Sequence, residues 1–504
     1  MMTTQKISIV GAGPGGLTAA MILSHRGFDV DVYETKDRVG GRNAALQLGD
    51  YTFDTGPTFL MMSFILDEVF QEAGAHVEDY LELISLDPMY RLQFDDVALE
   101  PSPDHDKTRA AIEAAFPGRG VGFDRFLSRE GSRFAHMLPC LQHAYSTKGS
   151  MFCGDLMKAL PHLGLTSTVF DILNGYFNDE RLALAFSFQS KYLGMSPWKC
   201  PGAFAMLSFI EHEWGVFHVT GGLSEISEKM ADVARKNGAR IHLNTPVKSL
   251  LVENKTTTGL ELENGEKVLA DKVIINADFA HSMCHIMPPG SSRVWSPEKL
   301  DKKRFSCSIF MIYLGVDKLY DLPHHTVFFA KDYKSNVTDI FESKQLSQDN
   351  SFYIRNASVT DKTLAPEGHS GLYVLVPVPN LRSGTDWEAE KDRFKEHILD
   401  LMEERAGLTD LREHIQVEKI ITPADWRDDY AVHEGAVFNL AHTIPQMLYF
   451  RPHNRFEEVK NCFITGGGTH PGSGLPTIYE SGRIAANMIC RDTGVPFSSG
   501  NLKV

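Results

Sequence analysis

No two of the seven cysteines stand close enough to form a C-x-x-C pair: Cys140, Cys153, Cys200, Cys284, Cys307, Cys462 and Cys490 are scattered and odd in number. That spacing excludes a thiol–disulfide redox motif and a cysteine-built zinc site, and it suits reduced thiols in a cytoplasmic protein. No apolar run approaches the roughly 20 residues that a membrane-spanning helix requires. The start of the chain has no basic flank, long apolar stretch and cleavage site in succession, so no signal peptide is expected there. The chain is therefore expected to be soluble or peripheral. Basic blocks are missing too: 50 Lys and Arg against 65 Asp and Glu leave a formal charge of −15, which argues against nucleic acid as a partner. Any contact with a membrane then has to be apolar. No carboxylate dyad or nucleophile–base pair stands out, and no metal site is expected.

What is present concentrates in the first 58 residues. The apolar run Ile7-Ser8-Ile9-Val10 enters Gly11-Ala12-Gly13-Pro14-Gly15-Gly16, a helical stretch runs from Leu17 to Arg26, and Val30-Asp31-Val32-Tyr33-Glu34 reads as a second strand ending in an acid. In such a turn Gly11 permits the sharp exit from the strand, Gly13 lets backbone approach a pyrophosphate, and Gly16 lets helix pack closely on strand. The helix N-terminus offers unpaired N–H groups to the anion. Glu34, 23 positions after Gly11, can accept hydrogen bonds from ribose hydroxyls and would repel a 2′-phosphate. Arg38-Val39-Gly40-Gly41-Arg42 and Phe53-Asp54-Thr55-Gly56-Pro57-Thr58 follow. A dissociable nicotinamide needs no such second loop, whereas a permanently held FAD uses one to wrap its pyrophosphate and ribityl chain, with Arg42 as a bidentate phosphate partner.

Further along, the apolar spacing of Phe64, Ile65, Val69 and Phe70 predicts a helix from Ser63 to Gly74, followed by short strands near Leu83 to Leu86 and Tyr90 to Phe94. Residues 100 to 215 read as mostly helical and carry many large apolar groups, Leu160, Leu163, Leu165, Val169, Phe170, Ile172, Leu173, Tyr176 and Phe177 among them. Their ordinary place is a core, and an alternative is that some are exposed for docking on a bilayer. Strands return at Ile241 to Leu243 and Val247 to Glu253, then a hairpin with Asn264-Gly265 at its turn, then Val273 to Asn276. Residues 290 to 455 alternate strands with a helix at about Glu388 to Glu404, as a second sheet with packed helices would. The adjacent His324 and His325 point to opposite faces of a strand and read as structural or pocket-lining.

Near the end, the strand Phe463-Ile464-Thr465 meets Gly466-Gly467-Gly468-Thr469-His470-Pro471-Gly472-Ser473-Gly474-Leu475-Pro476, and a helix follows from Thr477 to Cys490. Its N–H groups and helix dipole suit the negative charge that a reduced flavin develops around N1 and O2. Cofactor-binding sequence thus lies at both ends and in the middle. The fold class expected is α/β, with a discontinuous Rossmann-type FAD-binding domain (residues 1–75, 215–290 and 456–504). An inserted α+β substrate domain (76–99 and 291–455) and a helical insert (100–214) with a candidate membrane-docking side complete it.

GAGPGGL at Gly11, VGGR at Val39, FDTGPTF at Phe53, SFQSKYLGMSPW at Ser187, EHEWGVF at Glu211, INAD at Ile275, LPHHTVFF at Leu322, LAPEG at Leu364, ITPADWRDDY at Ile421, FRPHNRF at Phe450 and GGGTHPGSGLP at Gly466 span nearly the whole chain. Together they resemble the carotenoid desaturase family, the phytoene and diapophytoene desaturases. The resemblance implies an amine-oxidase-like flavin fold, one non-covalent FAD, peripheral membrane attachment, a long polyprenyl substrate and a quinone or oxygen as electron acceptor. By position, Gly11, Gly13, Pro14, Gly15 and Gly16 look like the pyrophosphate ligands with Arg42, Glu34 like the ribose ligand and Val247 like the adenine contact, and Gly41 and Gly56 belong to the loops that wrap the cofactor. Gly467, Gly468, Leu475, Pro476 and Thr477 look like the isoalloxazine end. One departure is Val219-Thr220-Gly221-Gly222, where phytoene desaturases usually read P-R-G-G.

The chemistry implied is loss of two hydrogens from a CH2–CH2 unit beside a double bond, with flavin N5 taking the hydride. Carotene isomerases and terminal-methyl oxygenases are alternatives on the same scaffold, and a prenyl-carrying escort protein is a non-enzymatic one. Glu211, His212 and Glu213 are candidates for a general base, against an expectation that they form a solvated helix end. No catalytic side chain is assigned.

Overall fold

The computed structural model describes residues 5–497. Its first sheet has five parallel strands, in the spatial order Cys462–Ile464, Lys272–Ile275, Lys6–Val10, Asp29–Tyr33, Arg240–His242. Ile7, Ile9, Val30, Val32, Val273, Ile274 and Ile275 are all fully buried, as in parallel sheets covered on both faces. The strands come from residues 6–33, 240–275 and 462–464, so the sheet needs both ends of the chain and its middle. Helix Pro14–His25 begins three residues before the expected Leu17, with proline in its first turn, where the missing N–H costs nothing. It crosses the last helix, Leu475–Thr493, at Gly482, where an added Cβ would lie 2.4 Å from the Gly15 carbonyl oxygen.

The second sheet has seven strands, in the order Ile415–Ile421, Ser308–Val316, Ser370–Val378, Phe352–Asn356, His325–Phe328, Arg91–Gln93, Ala98–Leu99. Its pairs are antiparallel except His325–Phe328 with Arg91–Gln93. Helix Trp387–Ala406 covers one face, with Trp387, Phe394, Ile398 and Met402 packed against Phe310, Val374 and Val376. The other face carries Tyr313, Tyr353 and Tyr373, which pack with Tyr51 and Phe53 of the hairpin Ala45–Asp54. The hairpin at Asn264-Gly265 forms between Thr256–Leu262 and Lys267–Leu269, with Gly265 at φ +86°.

Between 100 and 215 the chain is helical, its longest element being Gly120–Leu141. The apolar groups of this stretch divide. Leu163, Val169, Leu173, Tyr176 and Phe177 are core, while Leu160 and Leu165 face solvent. Among the described residues no helix is long and apolar enough to cross a membrane.

The seven-stranded sheet meets the hairpin Ala45–Asp54 across a buried ion pair. The Arg355 guanidinium stands 2.8 Å from the Asp54 carboxylate and also donates to His324 (3.2 Å) and His218 (3.1 Å). His218 in turn meets Asp361 at 2.9 Å. Burial holds the His218 and His324 imidazoles below the ordinary histidine range, so Arg355 is compensated by Asp54 with neutral rings as acceptors. His325 stacks on Phe59 with centroids 4.0 Å apart, and its Nδ1 pairs with the Tyr353 hydroxyl at 2.6 Å. Among the described residues no group of three potential metal ligands occurs.

Candidate dinucleotide site and its buried surroundings

The first glycine turn is built around Asn276. Gly11 has φ +92°, a conformation that favours glycine, and a Cβ there would lie 2.5 Å from the Asn276 carbonyl oxygen. The Asn276 side-chain amide donates to the Gly11 carbonyl (3.2 Å) and its oxygen accepts from the Thr465 hydroxyl (3.1 Å). One side chain therefore ties the first turn to the last. Gly15 completes the approach, since a Cβ on it would sit 2.8 Å from the Asn276 side-chain oxygen and 3.4 Å from the Gly466 nitrogen. Gly13 and Gly16 crowd the same amide, at 3.1 Å and 2.9 Å from its nitrogen. Pro14 has no N–H, and the Gly15 and Gly16 N–H groups, at the start of the helix, donate to no described residue. Such a terminus presents partial positive charge to an anion.

Glu34 is 8 % exposed and is already oriented. One carboxylate oxygen accepts from the Ala12 N–H at 2.8 Å and the other from the Lys36 N–H at 2.9 Å. A carboxylate has about four lone-pair sites, so two remain. The Thr245 N–H donates to the Glu34 carbonyl at 2.8 Å, which brings Val247 of strand Val247–Glu253 into the same corner, paired with Leu262.

Gly41 lies over the turn, its Cβ position 3.7 Å from Gly13 Cα. Arg42 follows, with one nitrogen donating to the Val437 carbonyl at 2.5 Å. Desolvation pulls its pKa down, and the charge that opposes this is Asp278, a half-buried carboxyl that acts through space without an ion pair. A half-buried guanidinium without a paired anion is costly, and a bound pyrophosphate would supply one. Gly56 is locked from two sides, since a Cβ would meet the Arg42 carbonyl at 2.6 Å and its own carbonyl accepts from the Tyr373 hydroxyl at 2.7 Å.

At the C-terminal loop the Gly466 carbonyl accepts from the Thr469 N–H (3.1 Å), closing a four-residue turn. Gly467 and Gly468 are its central residues, and their N–H groups donate to no described residue. Leu475 is buried and Pro476 opens the last helix. The Thr477 hydroxyl is spent inside the loop, on the Gly472 (3.0 Å) and Gly474 (2.9 Å) carbonyls. All the anticipated positions except Val247 thus gather around the two glycine turns, and Val247 stands beyond Glu34. Asn276, Val437 and Arg451 were not anticipated, although Asn276 and Arg451 lie in stretches that carried the family resemblance.

A family model described as flavin containing amine oxidoreductase matches residues 14–490. A 4,4′-diapophytoene desaturase (4,4′-diapolycopene-forming) of Methylomonas sp is 51 % identical over 497 residues, covering 99 % of this chain and 97 % of that protein. The chain belongs to the carotenoid desaturase family. An all-trans-zeta-carotene desaturase of Myxococcus xanthus is 36 % identical, with coverage of 98 % and 94 %. Among solved structures, putrescine oxidase bound to putrescine aligns with a TM-score of 0.63 at 16 % identity, over 97 % of this chain and 99 % of that one, a likeness of fold. FAD is the cofactor of this family member, and the unpartnered N–H groups, the unpaired Arg42 and the oriented Glu34 fit it.

Within this desaturase fold, the expectation of a solvated helix end at Glu211 and His212 is overturned. Both are buried, and of the three only Glu213 is exposed. Helix Met206–Trp214 ends inside the protein, so its polar residues have protein neighbours where solvent was expected. Glu211 accepts from the Tyr90 hydroxyl (2.9 Å) and the Gln189 amide (2.7 Å) on one oxygen, and its second oxygen has no hydrogen-bond partner. Burial pushes its pKa up to about 7. His212 stacks on Phe186 at 5.0 Å, and burial pushes its pKa down to about 3. Tyr90 and Tyr192 both pack on Phe59, at 6.3 and 5.5 Å between centroids. Glu211 is therefore one layer of rings away from the Gly56 loop.

Gly13→Val is expected to abolish bound FAD, read as loss of the yellow absorbance of the purified protein with circular dichroism retained; one FAD per chain in this variant would remove Gly13 from the site. Glu211 gives a pH prediction. A carboxyl whose pKa is higher folded than unfolded makes its contribution below the unfolded value and loses it as pH rises through the folded one. Stability from this group should fall between about 4.5 and 7. The Tm advantage of Glu211→Gln over wild type should therefore grow from pH 5 to pH 8, by up to about 3 kcal/mol in stability, and a pH-independent difference would contradict a neutral buried Glu211.

Proposed function

We propose that this chain is an FAD-dependent carotenoid desaturase acting on a diapophytoene-like, thirty-carbon polyprenyl hydrocarbon, at a membrane surface in the cytoplasm. The observation that carries the reading is an intact anion site with an unpaired Arg42 in a chain 51 % identical, over almost its whole length, to a diapophytoene desaturase.

In this reading Gly11, Gly13, Pro14, Gly15 and Gly16, with Gly41 and Arg42, hold the pyrophosphate, Glu34 the ribose and Val247 the adenine edge. Gly56 lies along the ribityl chain, and Gly467, Gly468, Leu475, Pro476 and Thr477 receive the ring end. Residues 1–75, 215–290 and 456–504 form a Rossmann-type cofactor domain, 76–99 and 291–455 the substrate domain, and 100–214 the helical insert. When bound, FAD supplies a hydride acceptor able to oxidise an allylic CH2. The protein's part is alignment and exclusion of water. The aromatic wall of Phe59, Tyr192, His325 and Tyr353 supplies an apolar surface for a polyene.

The exposed apolar groups support the membrane half of the proposal. Phe152 (78 % exposed) and Phe450 (55 %) lie on short turns packed against each other, Lys148–Phe152 and Leu448–Phe450. Met157, Leu160, Leu165 and Ile444, near these turns in sequence, add exposed apolar surface, and Lys148 and Lys158 are exposed too. Wedge-like apolar residues with a few cations suit the acyl–headgroup boundary. Electrons leave to a quinone in the same bilayer or to oxygen.

Two measurements test this. Expressed in cells that make diapophytoene or phytoene, the protein should give products lighter by two hydrogens per double bond. Unchanged mass would point to an isomerase, added oxygen to a terminal oxygenase, and purified protein lacking flavin to an escort. With substrate supplied in liposomes, Phe152→Ser/Phe450→Ser should lose at least tenfold in turnover while keeping FAD, and unaltered turnover would dismiss this patch as the docking face.

A further inference from the structure

Arg451 is fully buried, and no carboxylate meets it among the described residues. Its bonds all go to main-chain carbonyls: Gly467 at 2.6 Å, Thr469 at 2.9 Å, Leu440 at 3.3 Å and Gln446 at 3.5 Å. The titratable groups beside it are His442 and His470, both held neutral by burial. A cation in such a place is expensive to keep. A Lys or Arg at the surface, or an amide in the interior, could tie down a loop at lower cost.

The geometry of the turn shows what the charge faces. Gly466 to Thr469 is a four-residue turn, and its central peptide joins Gly467 to Gly468. Arg451 donates to the carbonyl of that peptide at 2.6 Å, and the Ser473 hydroxyl, which donates to the Phe438 carbonyl at 2.7 Å, lies 3.2 Å from it. In a trans peptide the following N–H points the opposite way, so the Gly468 N–H is aimed to the far side of the turn, and it has no acceptor among the described residues. The guanidinium therefore stands one peptide plane behind an unsatisfied donor and polarises it, in a low-dielectric setting where charge is poorly screened.

We propose that Arg451 is a positioning residue that sets the reduction potential of the bound flavin: its buried charge, relayed through the Gly467–Gly468 peptide, stabilises the reduced, negatively charged cofactor more than the oxidised one. This rests on the reading that Gly467 and Gly468 receive the isoalloxazine end. A full charge at this remove should favour the reduced form by roughly ten- to a hundredfold, and for a two-electron couple each tenfold is about 30 mV. The flavin is thereby made a stronger oxidant, as removal of hydride from a hydrocarbon demands.

The test is a spectroelectrochemical titration of purified holoprotein at constant pH. Arg451→Met should shift the potential negative by about 30 to 60 mV, whereas Arg451→Lys, which keeps the charge and loses the fork, should recover more than half of that shift. If both variants move together, or neither moves, Arg451 acts as a loop clamp and the proposal falls. Should Arg451→Met fail to retain FAD, the wild-type couple decides: it must lie positive of free FAD in the same buffer, and a bound couple at or below the free value overturns the assignment. Wild-type protein purified without FAD would instead refute the cofactor reading itself, a separate failure.

Discussion

One side-chain amide holds the two ends of this protein together. Asn276 follows the strand Lys272–Ile275, its backbone N–H donates to the Val10 carbonyl at 2.8 Å, and its side chain spans from the Gly11 carbonyl to the Thr465 hydroxyl. Because the first and last glycine turns both close on this residue, the space left between them is small enough to be shaped by backbone alone. That is why glycines crowd it: at Gly11, Gly13, Gly15 and Gly16 even a methyl group would meet Asn276 or the adjoining main chain. An anion held there is met by N–H dipoles fixed before it arrives, and such preorganised donors cost little to engage.

Much of this was legible in the sequence, for physical reasons that differ by element. The strand–turn–helix around Gly11 and the acid at Glu34 are local: periodicity, glycine placement and offset determine them within thirty residues. The hairpin at Asn264-Gly265 is equally local. The ends of helices were less legible, as Pro14 shows, because a first turn is set by capping and not by apolar spacing. What sequence could not give is the burial of Glu211 and His212. A polar triplet at the end of a helix reads as solvated unless one knows that Tyr90, Gln189 and Phe186, from distant segments, close over it. Asn276 and Arg451 lay in recognised stretches, yet their roles depend on partners nearly two hundred and on sixteen residues away, in loops whose relative position only the fold supplies.

The interior is unusually rich in charge, and the charges sort by how they are compensated. Arg355 meets Asp54 and neutral imidazoles. Arg483 is surrounded by Glu68, Glu72 and Glu480, and its pairing pins the last helix against Ser63–Glu72. Arg42 and Arg451 differ, because their hydrogen bonds go to carbonyls: no carboxylate pairs with Arg451 among the described residues, and Arg42 is opposed only through space by Asp278. Arg42 follows Gly41, which lies over the first glycine turn, and Arg451 stands against the second, bonded to the Gly467 carbonyl. Paired buried charges register the elements; unpaired ones are kept where a ligand is to be met.

The five-stranded sheet has a consequence for biosynthesis. Its central strand, Lys6–Val10, leaves the ribosome more than four hundred residues before the edge strand Cys462–Ile464 and the helix that covers Gly15. Pairings so distant in sequence are slow to form and leave apolar edges uncovered meanwhile. Until they do, Ile7, Ile9, Val30 and Val32 await a partner layer, and the two glycine turns that Asn276 joins are not yet together.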